Sequence, residues 1–113
     1  QQAWQDLESD LQKLLIQAED SSTVEIPAGH FMFRKPLLVD GKKHLRLKGA
    51  GAGKTVLSFA LQEEGAEGLK VSNCLNLTLS DFTIEDAKGD NIKATDCAGI
   101  RFQNIVSRWT GKP

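Results

Sequence analysis

The C-terminal half of the chain contains an internal repeat. Residues 69–89, LKVSNCLNLTLSDFTIEDAKG, align without a gap on residues 92–112, IKATDCAGIRFQNIVSRWTGK, at an offset of 23 residues. Apolar residues match apolar residues and polar residues match polar ones at nearly every position, and Cys74 matches Cys97. A repeat that matches position by position predicts that equivalent residues stack on one another in the fold.

The repeat consists of short alternating strands separated by turn residues. A period of twenty-odd residues made only of strands and turns is typical of a β-solenoid, in which each strand pairs with its equivalent in the next coil at about 4.8 Å. Leu45 and Leu47 match Leu77 and Leu79 if the glycine-rich stretch after Leu47 is an insertion, which adds a third copy. We predict an all-β parallel solenoid of about four coils over residues 23–113.

The first eighteen residues have a different period. Their apolar residues recur at helical spacing and leave Gln, Asp, Glu and Lys on the other face. This apolar face contains Trp4, Leu7, Leu11, Leu14, Leu15 and Ala18. The segment Glu19–Ser22 then supplies residues that favour turns. The pattern predicts an amphipathic helix within residues 1–20, in a single domain that spans residues 1–113.

The glycine-rich stretch RLKGAGAGKTVL, residues 46–57, resembles a phosphate-binding loop. That motif requires Gly-x4-Gly-Lys-Ser/Thr followed by a helix. With Gly53 and Lys54 at its end, the first glycine would be residue 48, which is Lys48. The residues after Lys54 alternate as in a strand. We therefore predict a turn between two strands and no bound nucleotide.

Two segments after the helix, TVEIPAGHFMF and HLRLKGAGAGKTVLSF, resemble the start of right-handed parallel β-helix proteins of the pectate-lyase-like superfamily. Those proteins open with a capping helix, a strand that ends in Pro-Ala-Gly before an aromatic residue, and a strand that leads into a Gly-x-Gly turn. The resemblance implies a right-handed parallel β-helix. It also implies that this chain is the N-terminal portion of a longer one, with the catalytic groups on later coils.

The same resemblance implies a secreted or periplasmic carbohydrate-active protein that acts on or binds a polysaccharide or other glycan. Lyase and epimerase members suggest proton abstraction beside a uronate carboxylate that a basic residue neutralises, and a hydrolase is a further member type. Calcium is the only cofactor that the resemblance suggests. A non-catalytic scaffold, or an adhesion or glycan-binding module, is the alternative. The net charge of −1 gives no indication of nucleic acid, and no apolar run reaches the roughly 18 residues of a membrane span.

The outward-facing positions of the coils provide the candidate binding residues. In the alignment Arg46, Thr78 and Arg101 form one column, and Lys70 stacks on Lys93. Like charges placed opposite each other are mildly unfavourable, so a cationic stripe suggests an anionic ligand. An exposed Trp109 would offer a platform for a sugar ring. The candidate substrate-binding residues are therefore Arg46, Lys70, Lys93, Arg101 and Trp109; an ordinary solvated strand face is the alternative.

The remaining reactive residues have simpler interpretations. Cys74 and Cys97 are expected as stacked, half-buried small residues, with a disulfide or a metal site as the alternatives. His30 and His44 have no evident catalytic partner in the sequence, so both are expected at the surface.

The acidic residues near the corners of the repeat have two interpretations. Glu85 over Arg108 predicts a surface ion pair of small energetic value. Turn formation accounts for the other acids better than calcium binding or acid–base chemistry; these are Asp86, Asp90 and Asp96. The sequence stops without a polar cap on the last coil, so we also expect either further coils or self-association through that coil.

Overall fold

The computed structural model describes the backbone of residues 3–111 and the side chains of residues 7–111. This part of the chain contains one helix and nine strands. Their bounds are α1 Ala3–Gln17, β1 Thr23–Glu25, β2 Gly29–Met32, β3 Leu37–Asp40, β4 Arg46–Lys48, β5 Thr55–Ser58, β6 Leu69–Ser72, β7 Thr78–Glu85, β8 Ile92–Thr95 and β9 Arg101–Arg108.

Every strand pairing is parallel, and the chain winds into a β-solenoid of about four turns. One sheet has the order β1-β4-β7-β5-β2, with β9 also paired to β7, and the other has the order β3-β6-β8. The registers confirm the sequence repeat: Leu47 pairs with Leu79, and Leu79 pairs with Phe102. The third copy predicted from Leu45 and Leu47 is therefore a true coil.

The inward-facing residues of the two sheets form one apolar core. Residues at equivalent positions, such as Leu47 and Leu79, are fully buried above one another. The rings of Phe33 and Phe59 stack with centroids 5.4 Å apart. Burial of this alternating apolar face supplies the main stabilisation of the coils. It also fixes the register, because a strand that slipped by one residue would turn the same side chains toward solvent.

The corners of the coils are formed by residues with positive φ, stacked in columns. His44, Asn76 and Gly99 have φ of 56°, 55° and 75°, and they directly follow three residues that pair with one another. Asn and Asp tolerate this left-handed conformation better than other residues with a side chain. Asp96 adopts it as well, with φ 55°. The prediction that this acid forms a turn is confirmed.

The glycine-rich stretch forms the connection between β4 and β5. The strand after Lys54 is β5, as the sequence predicted, and the Thr55 amide donates to the Gly51 carbonyl at 2.9 Å. In the next coil β7 passes the same corner with one left-handed residue, Asp81 (φ 63°). Gly49 lies so close to this corner that a Cβ atom on it would approach the Asp81 carbonyl oxygen to 2.2 Å. The loop is therefore an enlarged corner of the solenoid.

The helix α1 caps the first coil, and its side chains form hydrogen bonds with backbone groups at the edge of that coil. The Gln12 side-chain amide donates to the Leu38 carbonyl at 3.0 Å and accepts from the Leu38 amide at 2.8 Å. Glu8 accepts a hydrogen bond from the Arg34 amide at 2.6 Å. These bonds satisfy backbone groups at the edge of the solenoid that another strand would otherwise pair.

The apolar stripe of α1 is narrower than the sequence predicted. Leu11 and Leu15 are fully buried against the first coil, but Leu14 is 49% exposed. Leu7 and Ala18 also pack against the core, and Leu14 lies outside the stripe that these four residues form. The predicted inward position of the Trp4 side chain lies outside the described side chains.

The opposite end of the described solenoid is open. Among the described residues β8 and β9 each pair on one side only. Phe102 is 53% exposed, whereas Leu79, its equivalent one coil earlier, is fully buried. Within residues 3–111 no helix is long and apolar enough to cross a membrane.

Candidate functional site

The five predicted binding residues lie on three separate surfaces. Arg46 and Arg101 are on the outer face of the larger sheet, in one column with Thr78 between them. Lys70 and Lys93 pair with each other on the smaller sheet. Trp109, the fifth residue, follows β9 and is 64% exposed. The solenoid therefore brings four of the residues together as two pairs, leaves Trp109 apart, and does not gather the five into one site.

The two arginines line a polar groove of about 200 Å³. We call it the arginine groove, and its residues are His44, Arg46, Asn76, Thr78, Gly99 and Arg101. It forms because each of β4, β7 and β9 begins about two residues after a left-handed corner residue, so a column of corners lies beside a column of outward side chains. His44 is exposed in this groove, as predicted for a surface residue.

Gly99 shapes the floor of the arginine groove. A Cβ atom at this position would approach Asn76 Oδ1 to 2.3 Å. The glycine thus leaves room for the Asn76 amide to lie over the following corner. An amide has both donors and an acceptor, so Asn76 adds hydrogen-bonding capacity for a polar ligand between the two arginines.

The guanidinium groups of the arginine groove are not neutralised by nearby acids. Among the described basic side chains, those within 4.0 Å of an acidic side-chain oxygen are His30, Arg34, Lys93 and Arg108. Neither Arg46 nor Arg101 is among them. Two strand spacings separate the backbones of these two residues, or roughly 10 Å. Thr78 lies between them in the same column, so the groove presents two positive charges without an acidic partner on backbones held at a fixed spacing.

The lysine pair has a weaker case as a binding site. Lys93 Nζ is 3.9 Å from Glu67 Oε2, so an acid already offsets part of its charge. Lys70 pairs on its other side with Leu38, which is exposed and apolar. The stacked lysines predicted from the repeat are present, but they belong to a mixed surface.

A second cleft, of about 360 Å³, lies at the other end of β7 and β9. We call it the Glu85 cleft, and its residues are His30, Met32, Ser58, Ala60, Glu85, Asp86, Arg108 and Thr110. Arg108 Nε and Nη2 lie 2.8 and 2.7 Å from Glu85 Oε1. His30 Nε2 lies 3.6 Å from Glu85 Oε2. The predicted pair of Glu85 and Arg108 exists.

The prediction that this pair lies on the surface is wrong for Glu85, whose side chain is only 6% exposed. Neighbouring strands β2 and β5 bring His30 and Ser58 to the same face and enclose the carboxylate. The repeat indicated the stacking of Glu85 and Arg108, but no sequence signal placed β2 beside β5. The cleft was therefore not predicted from the sequence.

Asp86 is engaged by the segment after β9. Its carboxylate accepts hydrogen bonds from the Thr110 amide and hydroxyl, both at 2.6 Å. Asp86 is buried and has φ 64°, so it forms a corner, as predicted. Trp109 lies beside this corner with its side chain turned to solvent.

The two cysteines are free thiols in stacked positions. Cys74 Sγ lies 3.3 Å from the Ser72 carbonyl, and Cys97 Sγ lies 3.3 Å from the Thr95 carbonyl. Cys74 is buried and Cys97 is partly buried, which confirms the predicted ladder of small residues. Burial raises the pKa of the Cys74 thiol above its ordinary value of 9.0. In the described part of the chain no three His, Cys, Asp or Glu residues are grouped so as to hold a metal ion.

Comparisons with protein-family models, with curated proteins and with solved structures find no match to this chain. The resemblance to the pectate-lyase-like superfamily therefore depends on the sequence motifs alone. What the structure establishes is the parallel β-solenoid with its N-terminal helix.

Proposed function

We propose that this protein binds an acidic polysaccharide through the arginine groove. The observation that carries the proposal is the position of Arg46 and Arg101, which flank Thr78 in one column and have no acidic partner within 4.0 Å among the described side chains. Two unpaired guanidinium groups held in register by a rigid sheet suit a ligand whose negative charges also repeat along its length.

The side chains of the groove can bind both the negatively charged groups and the hydroxyl groups of an acidic polysaccharide. A guanidinium presents planar donors that fit a carboxylate or sulfate with two hydrogen bonds. The Thr78 hydroxyl and the Asn76 amide each combine donor and acceptor capacity, which suits sugar hydroxyl groups. The strands hold the backbones of Arg46, Thr78 and Arg101 in place. Binding would therefore cost little conformational entropy of the backbone.

The motifs of the N-terminal segments support a polysaccharide as the ligand. The pectate-lyase-like superfamily includes lyases and epimerases that act beside a uronate carboxylate, and a basic residue that neutralises this carboxylate is the role that Arg46 and Arg101 would fill. A secreted or periplasmic location would accompany that function. We propose binding by this segment and assign it no catalytic residue.

Binding of polygalacturonate, measured by titration calorimetry against neutral galactan, tests the proposal. We expect polygalacturonate to bind, and we expect the double variant Arg46→Ala/Arg101→Ala to lose at least about tenfold in affinity, since each charged hydrogen bond contributes roughly 1.5–3 kcal/mol. Arg34→Ala/Lys35→Ala is the matched control, because it also removes two positive charges, from exposed sites elsewhere on the surface.

Equal binding of both polymers, or equal affinity of the double variant and the control, would refute the arginine groove as the site. An assay for unsaturated uronate products in the same samples separates the two classes of function. Product formation would favour the lyase interpretation, and binding without turnover would favour the non-catalytic glycan-binding module.

A further inference from the structure

The corner that precedes β7 contains the tripeptide Asn76-Leu77-Thr78. It matches the acceptor pattern for N-linked glycosylation, which is Asn-x-Ser/Thr with x other than proline. Of the four asparagines in the sequence, Asn76 is the one that has Ser or Thr two positions later. The equivalent residues one coil later, 99–101, read Gly-Ile-Arg, so the geometry of the coil does not itself require the tripeptide.

The structure places the acceptor amide at an accessible position. Asn76 is exposed and lies outside the strands, in a corner with φ 55°. Leu77 is fully buried, whereas Asn76 and Thr78 both line the arginine groove. The hydroxyl group that the pattern requires is therefore on the same surface as the amide that would carry the glycan.

The surroundings of Asn76 leave room for an attached group. A linked glycan is bulky and has to project into solvent. A Cβ atom on Gly99 would approach Asn76 Oδ1 to 2.3 Å, so the glycine keeps this side of the amide clear. The Asn76 backbone amide donates to the Ala98 carbonyl at 2.8 Å, which holds the corner in place. A glycan on the Asn76 side chain would therefore leave the buried Leu77 undisturbed.

From these observations we infer that Asn76 is an attachment site for an N-linked glycan when the chain passes through a compartment that contains oligosaccharyltransferase. The donor is an oligosaccharide bound to a lipid diphosphate. The Asn76 amide nitrogen forms a bond to the anomeric carbon of the first sugar and loses one proton. The bond from that carbon to the diphosphate oxygen breaks, and the lipid diphosphate leaves with the electron pair.

An attached glycan would regulate the arginine groove, and this consequence rests on the proposed function. Asn76 belongs to the middle coil of the groove, with Arg46 one coil before it and Arg101 one coil after it. A polymer that bridges the two guanidinium groups would have to pass the first sugar of the glycan. The glycosylated chain should therefore bind an acidic polysaccharide more weakly than the unmodified chain.

Translation of the whole chain behind a cleavable signal peptide, in the presence of endoplasmic-reticulum microsomes, tests the attachment. We expect one shift to lower electrophoretic mobility, which peptide-N-glycosidase reverses. Asn76→Gln and Thr78→Val should abolish the shift, whereas Thr78→Ser keeps the hydroxyl group and should retain it. Asn73→Gln is the matched control, because Asn73 is also an exposed corner residue with positive φ but has Leu75 two positions later.

Absence of the mobility shift would overturn the inference. A shift that persists in Asn76→Gln, or one that Asn73→Gln also abolishes, would overturn it as well. The transferase acts as the chain enters the microsome, so a variant that folds poorly still reports whether the glycan is attached.

Titration with polygalacturonate tests the consequence for the arginine groove. We expect the glycosylated chain to bind at least about tenfold more weakly than the unmodified chain made in bacteria, which is the loss expected when the contacts to the arginines are broken. Equal affinity of the two forms would overturn the regulatory role of the glycan. If neither form binds the polymer, the proposed function is wrong, while the mobility shift still decides whether Asn76 carries a glycan.

Discussion

Arg108 directs two nitrogens of its guanidinium at the same oxygen of Glu85, at 2.8 and 2.7 Å, from the equivalent position one coil later. The two side chains differ in their surroundings, because Glu85 is 6% exposed and Arg108 is 49% exposed. Stacking of consecutive coils therefore places a half-exposed cation over a buried anion. A bond of this kind stabilises the fold mainly by preventing an unpaired buried charge.

Replacing Arg108 by leucine should destabilise the solenoid by about 2 kcal/mol, because it leaves the Glu85 carboxylate without its partner. The free energy of unfolding in urea measures this loss. Arg101→Leu is the control, since it makes the same change in the same strand at a position without an ion pair. Adding Glu85→Gln to Arg108→Leu should restore part of the stability; equal losses from the two single leucine variants would contradict this account.

Gly49→Ala should destabilise the fold by about 1–3 kcal/mol, because the new methyl group would meet the Asp81 carbonyl oxygen at 2.2 Å and the backbone of the next coil must shift. Gly53→Ala, four residues further along the same loop, meets no atom within 4 Å and should change stability little. Thermal unfolding of the two variants compares them directly. Equal stability would show that the first glycine of the loop has no packing role.

The free energy of unfolding should fall as the pH rises above about 9.0, because the raised pKa of Cys74 lets the unfolded chain ionise before the folded one. The loss continues until the pH passes the folded pKa, at no more than about 1.4 kcal/mol per pH unit. Cys74→Ala should make the free energy of unfolding, measured in urea between pH 8 and 10, depend less steeply on pH. Cys97→Ala is the control. If Cys74→Ala shows the same pH dependence as the unmodified chain, the loss of stability at alkaline pH comes from other groups.

Binding of polygalacturonate should weaken as the salt concentration rises, because the Debye length falls from about 10 Å at 0.1 M to about 3 Å at 1 M. The double variant Arg46→Ala/Arg101→Ala should show both a lower affinity and a shallower dependence on salt. Titrations at several salt concentrations provide the slopes. If the variant keeps the slope of the unmodified chain, the charges that bind the polymer lie outside the arginine groove.

The coil that contains β8 and β9 should promote self-association of the 113-residue chain, since within residues 3–111 each of these strands pairs on one side only and Phe102 is exposed. Sedimentation over a range of protein concentrations should show association that Phe102→Asp reduces. Leu61→Asp, which charges an equally exposed apolar residue in a loop, is the control. Association that both variants reduce alike would place the contact elsewhere or make it non-specific.

Much of the fold is readable from the sequence because stacked coils impose a visible repeat. The matches of Leu79 to Phe102 and of Lys70 to Lys93 are pairs in the actual register. Helical spacing likewise identified the capping helix, although it included Leu14, which is exposed. The sequence could not show which of the helix residues are covered, because that depends on how the helix packs on the first coil.

The sequence by itself determined the coil period, the parallel pairing and the columns that contain Arg46 and Arg101, because these depend on repeated local patterns. Only the tertiary structure decided that Arg46 and Arg101 share a groove while Lys70 and Lys93 lie on another sheet. It also decided the burial of Glu85, which arises where β5 pairs with β7 and β2 lies on the far side of β5. Those strands come from different coils and carry no common motif, so their contact depends on how the chain winds, and a linear repeat does not encode that contact.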